Sequence, residues 1–219
     1  MKLDRKEALR YLGAIGQATE EVRLAVESVA SGLEGTLQPS FVYKVFALEH
    51  RPEGVALSGT EILLTGDTAK TMLAECDRAL LLACTLGSRF DALLLSEQAR
   101  DMARAAILDA CGSALVESGC DEAERQIALR FPEQFLTDRF SPGYGDLPLQ
   151  LQEGICAALD ARRRLGIHVT DSCLMNPVKS VTAVVGISDR PQMARIRGCA
   201  HCAMREHCTL RKGGNRCGL

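Results

Sequence analysis

The 219-residue chain contains no tryptophan, and aromatic residues make up only 4% of it. Its core must therefore be built mainly from Leu, Ala, Val and Ile. Long apolar runs are also missing. Stretches such as Ala79-Leu80-Leu81-Leu82-Ala83-Cys84 are far shorter than the ~20 residues that span a bilayer, so no membrane partner is expected. The N-terminus, Met1-Lys2-Leu3-Asp4-Arg5-Lys6-Glu7, mixes charges and has no apolar region of a signal peptide, which points to a cytoplasmic protein. With a formal net charge of −2 the chain offers no reason to expect nucleic acid as a partner. No glycine-rich phosphate motif follows an expected strand, which argues against dinucleotide binding. Nor is there an internal repeat or low-complexity segment. What is present, 47% hydrophobic and 25% charged residues, describes an ordinary globular chain long enough for one full core and a small appendage.

Hydrophobic periodicity predicts helices from Asp4 to about Leu12 and from Gln17 to about Ser31, the second ended by Gly32. The β-branched and aromatic run Phe41–Leu48 after Pro39 predicts a strand, and Glu61–Leu64 a second one leading into a helix from Thr68 to about Cys76. Arg78 to Leu86 is apolar enough for a strand buried on both faces. A helix should begin at Ser88 or Arg89. The longest helical pattern runs from Ser96 to about Ser118, where alanines and Gly112 allow another element to approach closely. Asp121 reads as the cap of a further helix to about Arg130. Beyond it, a helix from about Leu149 to Leu165 closed by Gly166, a strand at Ile167–Val169, a turn at Asn176-Pro177 and a strand at Ser180–Ile187 are expected. Irregular alternation of this kind predicts an α+β fold: a single domain with a mixed or antiparallel twisted sheet flanked by helices. That domain should cover residues 1–194, and a short Cys-rich tail residues 195–219.

One stretch stands apart from this pattern: Arg139-Phe140-Ser141-Pro142-Gly143-Tyr144-Gly145-Asp146-Leu147-Pro148. Two prolines and two glycines within seven residues can neither continue a helix nor sit inside a sheet, so they define a shaped loop. It carries a fixed cation, an aromatic ring and approachable backbone, which suit a small zwitterionic ligand. It also precedes a helix whose first N–H groups are free to meet an anion. The competing reading is a plain structural turn.

The ten cysteines fall into two groups. Cys76, Cys84, Cys111, Cys120, Cys156 and Cys173 are scattered singly through apolar stretches and read as small buried hydrophobes in a reducing compartment. Cys199, Cys202, Cys208 and Cys217 crowd into the tail with spacing C-x2-C-x5-C-x8-C. Four thiolates so placed suit a zinc ion or an iron–sulfur cluster, and the spacing does not separate the two. Around them Arg195, Arg197, Arg205, Arg211, Lys212 and Arg216 face the single acid Glu206, a local charge of +5 (6 − 1), which favours thiolates.

The segment from Arg139 to Tyr144, with Pro148, resembles the R-x-x-P-G-Y loop of the activation domain of cobalamin-dependent methionine synthase. Downstream, Gly166-Ile167-His168-Val169-Thr170-Asp171-Ser172-Cys173-Leu174-Met175-Asn176-Pro177 resembles that domain's Thr-Glu-Ser … Met-x-Pro segment, and Ser180 to Ser188 the strand after it. The likeness covers about Arg139 to Asp189, and Asp109 to Asp121 looks like the family's acidic helix. This chain departs from the family in being shorter, in the residues Gly145-Asp146-Leu147 after the tyrosine, and in its cysteine tail.

The resemblance implies a stand-alone activation protein that binds S-adenosylmethionine and supports reductive remethylation of cob(II)alamin. The cobalamin is carried by a partner, cobalamin-dependent methionine synthase or another corrinoid protein, with a flavodoxin- or ferredoxin-type electron donor. It implies a ligand site of Arg139, Pro142, Gly143, Tyr144 and Gly145. Arg139 would hold the ligand carboxylate, Tyr144 would lie near the sulfonium or the corrin, and Glu117 or Asp121 would accept from the ammonium. It leaves open whether the chain is itself catalytic. Two other readings compete: a reductive activator of a different corrinoid methyltransferase system, and a zinc-stabilised S-adenosylmethionine-binding interaction module without catalysis.

Overall fold

The computed structural model describes residues 2–14 and 16–192. Seven helices and eight strands follow in the order α1 (Arg5–Tyr11), α2 (Glu20–Thr36), β1 (Ser40–Arg51), β2 (Gly54–Leu57), β3 (Leu63–Thr65), α3 (Asp67–Leu73), β4 (Arg78–Thr85), α4 (Ser88–Gln98), α5 (Met102–Ala128), β5 (Phe135–Leu136), α6 (Leu151–Ala158), α7 (Ala161–Leu165), β6 (His168–Val169), β7 (Met175–Asn176) and β8 (Ser180–Ser188) among these residues. A six-stranded sheet in the order β3-β2-β1-β4-β8-β5 has only antiparallel neighbours, and β6 and β7 form a separate hairpin. The expected α+β fold is the one observed, and of the two sheet types expected, mixed or antiparallel, the sheet is antiparallel.

The centre of the sheet explains its apolar sequence. Every residue of β4 after Arg78 is buried, because β1 and β8 pair along both its edges and helices cover both faces. Leu80, Leu82 and Cys84 project into a core shared with α1, α2, α4 and α5. Ala79, Leu81 and Ala83 project to the other side, into a core completed by α3, α6 and α7. With no tryptophan to fill space, closeness does the work. A Cβ on Gly112 of α5 would collide with the Phe90 ring of α4, so the glycine lets one large side chain nest against the helix.

Several expected boundaries moved. Helix α2 passes through Gly32 to Thr36, because its apolar stripe of Val26, Val29, Ala30 and Leu33 continues beyond that glycine. The patterns read as 96–118 and 121–130 are instead the end of α4 and one helix, α5, that Asp101 caps. Asp121 thus lies inside α5 and is not a cap. The expected helix 149–165 is two helices, broken where Asp160 adopts a left-handed conformation with φ 52°. Strands β2, β5 and β7 were not expected as strands from the sequence, and Asn176, read as part of a turn, ends β7. All three are short, and their pairing partners, not their own periodicity, make them strands.

Candidate functional site

The Pro/Gly stretch leaves the sheet at one edge. Phe140 makes an isolated bridge to Val184 of β8, donating to it at 3.0 Å and accepting from it at 2.7 Å. The chain then folds on itself: Tyr144 N–H donates to Ser141 O at 3.0 Å, Gly143 N–H to Leu147 O at 2.8 Å and Leu147 N–H to Tyr144 O at 3.1 Å. Pro142 and Leu147 are buried, whereas Tyr144 is 47% exposed. The loop therefore has a packed base and an aromatic ring held in solvent.

Arg139, at the loop's entry, reaches α5. Its Nη1 donates to Asp121 Oδ1 at 2.6 Å and to Glu124 Oε1, and its Nη2 to Glu117 Oε2 at 2.6 Å. Positions 117, 121 and 124 are spaced i, i+4, i+7 and so line one stripe of the helix. The guanidinium fork spans that stripe. Arg139 is 9% exposed, against 37% for Glu117, 63% for Asp121 and 22% for Glu124. Burial disfavours the guanidinium charge, but the charge and hydrogen bond of Glu124, with Asp121, more than offset this and raise the Arg139 pKa. One cation among three carboxylates leaves a formal local charge of −2 (1 − 3). Nearby on α1, burial and the Glu117 charge push the Tyr11 phenol up.

The structure thus brings Arg139, Glu117 and Asp121 together, but with Arg139 already engaged by the two acids nominated for a ligand ammonium. Glu124 was missed by the sequence reading. Its helical spacing from Glu117 would have exposed it had α5 been read as continuous.

The residues that depart from the family pattern anchor the loop's far end. Asp146 accepts from the backbone N–H groups of Asp67 (2.5 Å) and Thr68 (3.0 Å) at the start of α3, Gly145 lies against Thr68, and Leu147 sinks into the core. The hydrogen bonds from Thr68 and Asp67 hold the Asp146 carboxyl down at about 2. Helix α6, which follows the loop, starts at Leu151 with no side-chain cap.

The second motif, Gly166 to Pro177, forms the β6–β7 hairpin, with a turn closed by Thr170 N–H to Leu174 O at 2.8 Å and a cis Asn176-Pro177 bond. Its exit is tied to two helices: Val178 N–H donates to the Asp91 carboxylate of α4, and Lys179 Nζ pairs with Asp109 of α5 at 2.8 Å.

Of the six scattered cysteines, five are buried and Cys173 is half-buried. Burial pushes the Cys76, Cys111 and Cys156 thiols up to about 11. Cys199, Cys202, Cys208 and Cys217 lie outside the described residues. Among the described residues no group of His, Cys, Asp and Glu could hold a metal ion, and no helix is long and apolar enough to cross a membrane.

An antiparallel α+β domain with an Arg–carboxylate cluster at the mouth of a Pro/Gly loop is the class that fold and site define. No family model and no curated protein sequence matches the chain. A solved structure does: the crystal structure of the MetH reactivation domain bound to AdoHcy superposes with a TM-score of 0.68 at 15% sequence identity, covering 96% of this chain and 82% of that one. The chain has the fold of that reactivation domain, as the motif resemblance implied.

Proposed function

We propose that the chain binds S-adenosylmethionine between the Arg139–Leu147 loop and the acidic stripe of α5, and that it supports reductive remethylation of a corrinoid carried by a partner protein such as cobalamin-dependent methionine synthase. The observation that carries this reading is the meeting of Arg139, Glu117 and Asp121 beside the Pro142-Gly143-Tyr144 turn, in a fold whose solved neighbour is bound to AdoHcy.

The cluster suits a zwitterion. Its net negative charge favours the ligand's ammonium and sulfonium groups. Arg139 is buried and fixed, but Glu117 and Asp121 are partly solvated and can rotate away. A ligand carboxylate can then take their place on the guanidinium as a bidentate pair, while the displaced acids accept hydrogen bonds from the ammonium. Each charge is exchanged for a like charge, so the exchange leaves no buried cation unpaired. Gly143 and Gly145 offer backbone to the ligand, and the Tyr144 ring offers its face to the sulfonium. The partner's corrinoid would supply the methyl-accepting chemistry once a low-potential donor had reduced it, with the methyl group coming from S-adenosylmethionine, which would leave as S-adenosylhomocysteine. This chain's share is to hold the donor in place.

A remethylation assay tests the proposal. A methionine synthase core lacking its own activation domain, loaded with cob(II)alamin, is supplied with S-adenosylmethionine and a low-potential reductant. Methylcobalamin should form only when this protein is added, and equal formation without it would overturn the reading. For the four C-terminal cysteines, zinc or iron–sulfur ligation stays a proposal from spacing alone, and elemental analysis with paramagnetic spectra after anaerobic purification decides between them.

A further inference from the structure

We propose that Asp146 is a positioning residue for the ligand loop, acting through the start of α3. This inference rests on the reading that the loop forms part of an S-adenosylmethionine site. Helix α3 starts at Asp67 behind Gly66, which has no side chain to cap it, so its first N–H groups need an outside acceptor. Asp146, 79 positions away from Asp67, supplies it through both carboxylate oxygens. A negative charge at a helix N-terminus also meets the favourable end of the dipole.

The surroundings are shaped for that carboxylate. Gly66 has φ +95°, and a Cβ there would lie 2.7 Å from Asp146 Cγ; Gly145 has φ +59°, and a Cβ there would lie 2.6 Å from Thr68 Oγ1. A side chain at either glycine would push loop and helix apart. Asp146 also lies inside the turn closed by Gly143 N–H and Leu147 O, so fixing its carboxylate fixes the backbone that presents Gly143 and Tyr144. Asp146 itself is exposed, so removing its carboxylate empties no core space.

The test compares wild type, Asp146→Ala, Asp146→Asn and Gly66→Ala by calorimetric titration with S-adenosylmethionine, alongside hydrogen exchange at the Gly143 and Leu147 amides. In Asp146→Ala the affinity should fall about tenfold and both amides should exchange at least about tenfold faster, by analogy with the loss of a helix cap. Asp146→Asn keeps one acceptor oxygen and should recover part of both effects. Gly66→Ala leaves the loop sequence intact but fills the carboxylate's space, and it should reproduce the Asp146→Ala behaviour. Unchanged exchange in Asp146→Ala would overturn the anchoring, and unchanged affinity with faster exchange would overturn its role in binding. If wild type binds no S-adenosylmethionine, the functional reading fails, while amide exchange still decides whether Asp146 anchors the turn.

Discussion

The two ends of the Arg139–Leu147 loop are fastened by different chemistry. The entry is held by charge: one buried guanidinium shared among three carboxylates of α5, two of which stand largely or partly in water. The exit is held by a backbone cap and a buried leucine, with Asp146 on α3 and Leu147 in the core beneath it. The charged end could trade partners, because two of its carboxylates face water and the proposed ligand would bring equivalent groups. The capped end has nothing to exchange and serves as a fixed base. Under the proposed function, a loop that admits a zwitterion and presents it in one geometry would use both kinds of fastening.

Breaking the fixed end should cost most. Leu147→Ala removes a side chain that is 2% exposed, and a loss of about 3 kcal/mol is expected for such a truncation. That corresponds to a melting temperature roughly 6–12 °C lower for a chain of this size, read by circular dichroism. A change below about 1 kcal/mol would mean the exit is not packed as described.

The charged end should cost less. Arg139→Ala leaves Glu117, Asp121 and Glu124 without their cation. Removing one partner of a fully buried pair costs about 3–5 kcal/mol, but these acids can rehydrate, so about 2 kcal/mol is expected. Arg139→Lys keeps the charge but loses the fork, and should fall between the two. Equal stability of Arg139→Ala and wild type would show that the cluster does not fasten the loop.

Acid should release the capped end. The Asp146 carboxyl is lowered from 3.8 to about 2 in the folded protein. Its contribution is therefore fully present above pH 3.8, and it is lost as pH falls through about 2. The Asp67 and Thr68 amide resonances should titrate with a midpoint near 2, and a midpoint near 4 would mean the cap is not formed in solution. The smallest effect belongs to Tyr144→Ala. With its ring exposed, thermal stability should stay within about 0.5 kcal/mol of wild type, while S-adenosylmethionine affinity falls. A large stability loss would make the ring a packing element instead of a ligand contact.

Much of this was legible in the residues. Arg78–Leu86 announced a strand buried on both faces, and the α+β class followed from the irregular alternation of elements, though not whether the sheet would be mixed or antiparallel. The Pro/Gly loop was visible because no regular element tolerates Pro142, Gly143, Gly145 and Pro148 together. What stayed hidden was long-range. Gly119 and Asp121 imitate a helix stop and start, yet burial of Val116, Cys120, Ala123 and Ile127 on one side of α5 carries the helix straight through them. That misreading concealed Glu124 and the shared stripe it forms with Glu117 and Asp121. No local signal tells that Arg139 will fold back onto a helix ending eleven positions earlier, at Ala128, or that Asp146 will cap a helix begun 79 positions before it. Periodicity specifies which face of an element is buried, not which partner meets its polar groups.

The proposed function requires that the loop and the α5 acids together form one S-adenosylmethionine site. Calorimetric titration of wild type and of the Glu117→Gln, Asp121→Asn double variant with S-adenosylmethionine tests it most directly. Saturable binding at one site per chain is expected in wild type, and binding at least about tenfold weaker in the double variant, since charged hydrogen bonds contribute about 1.5–3 kcal/mol. Wild type that binds no S-adenosylmethionine, or a double variant that binds it as tightly as wild type, would contradict it.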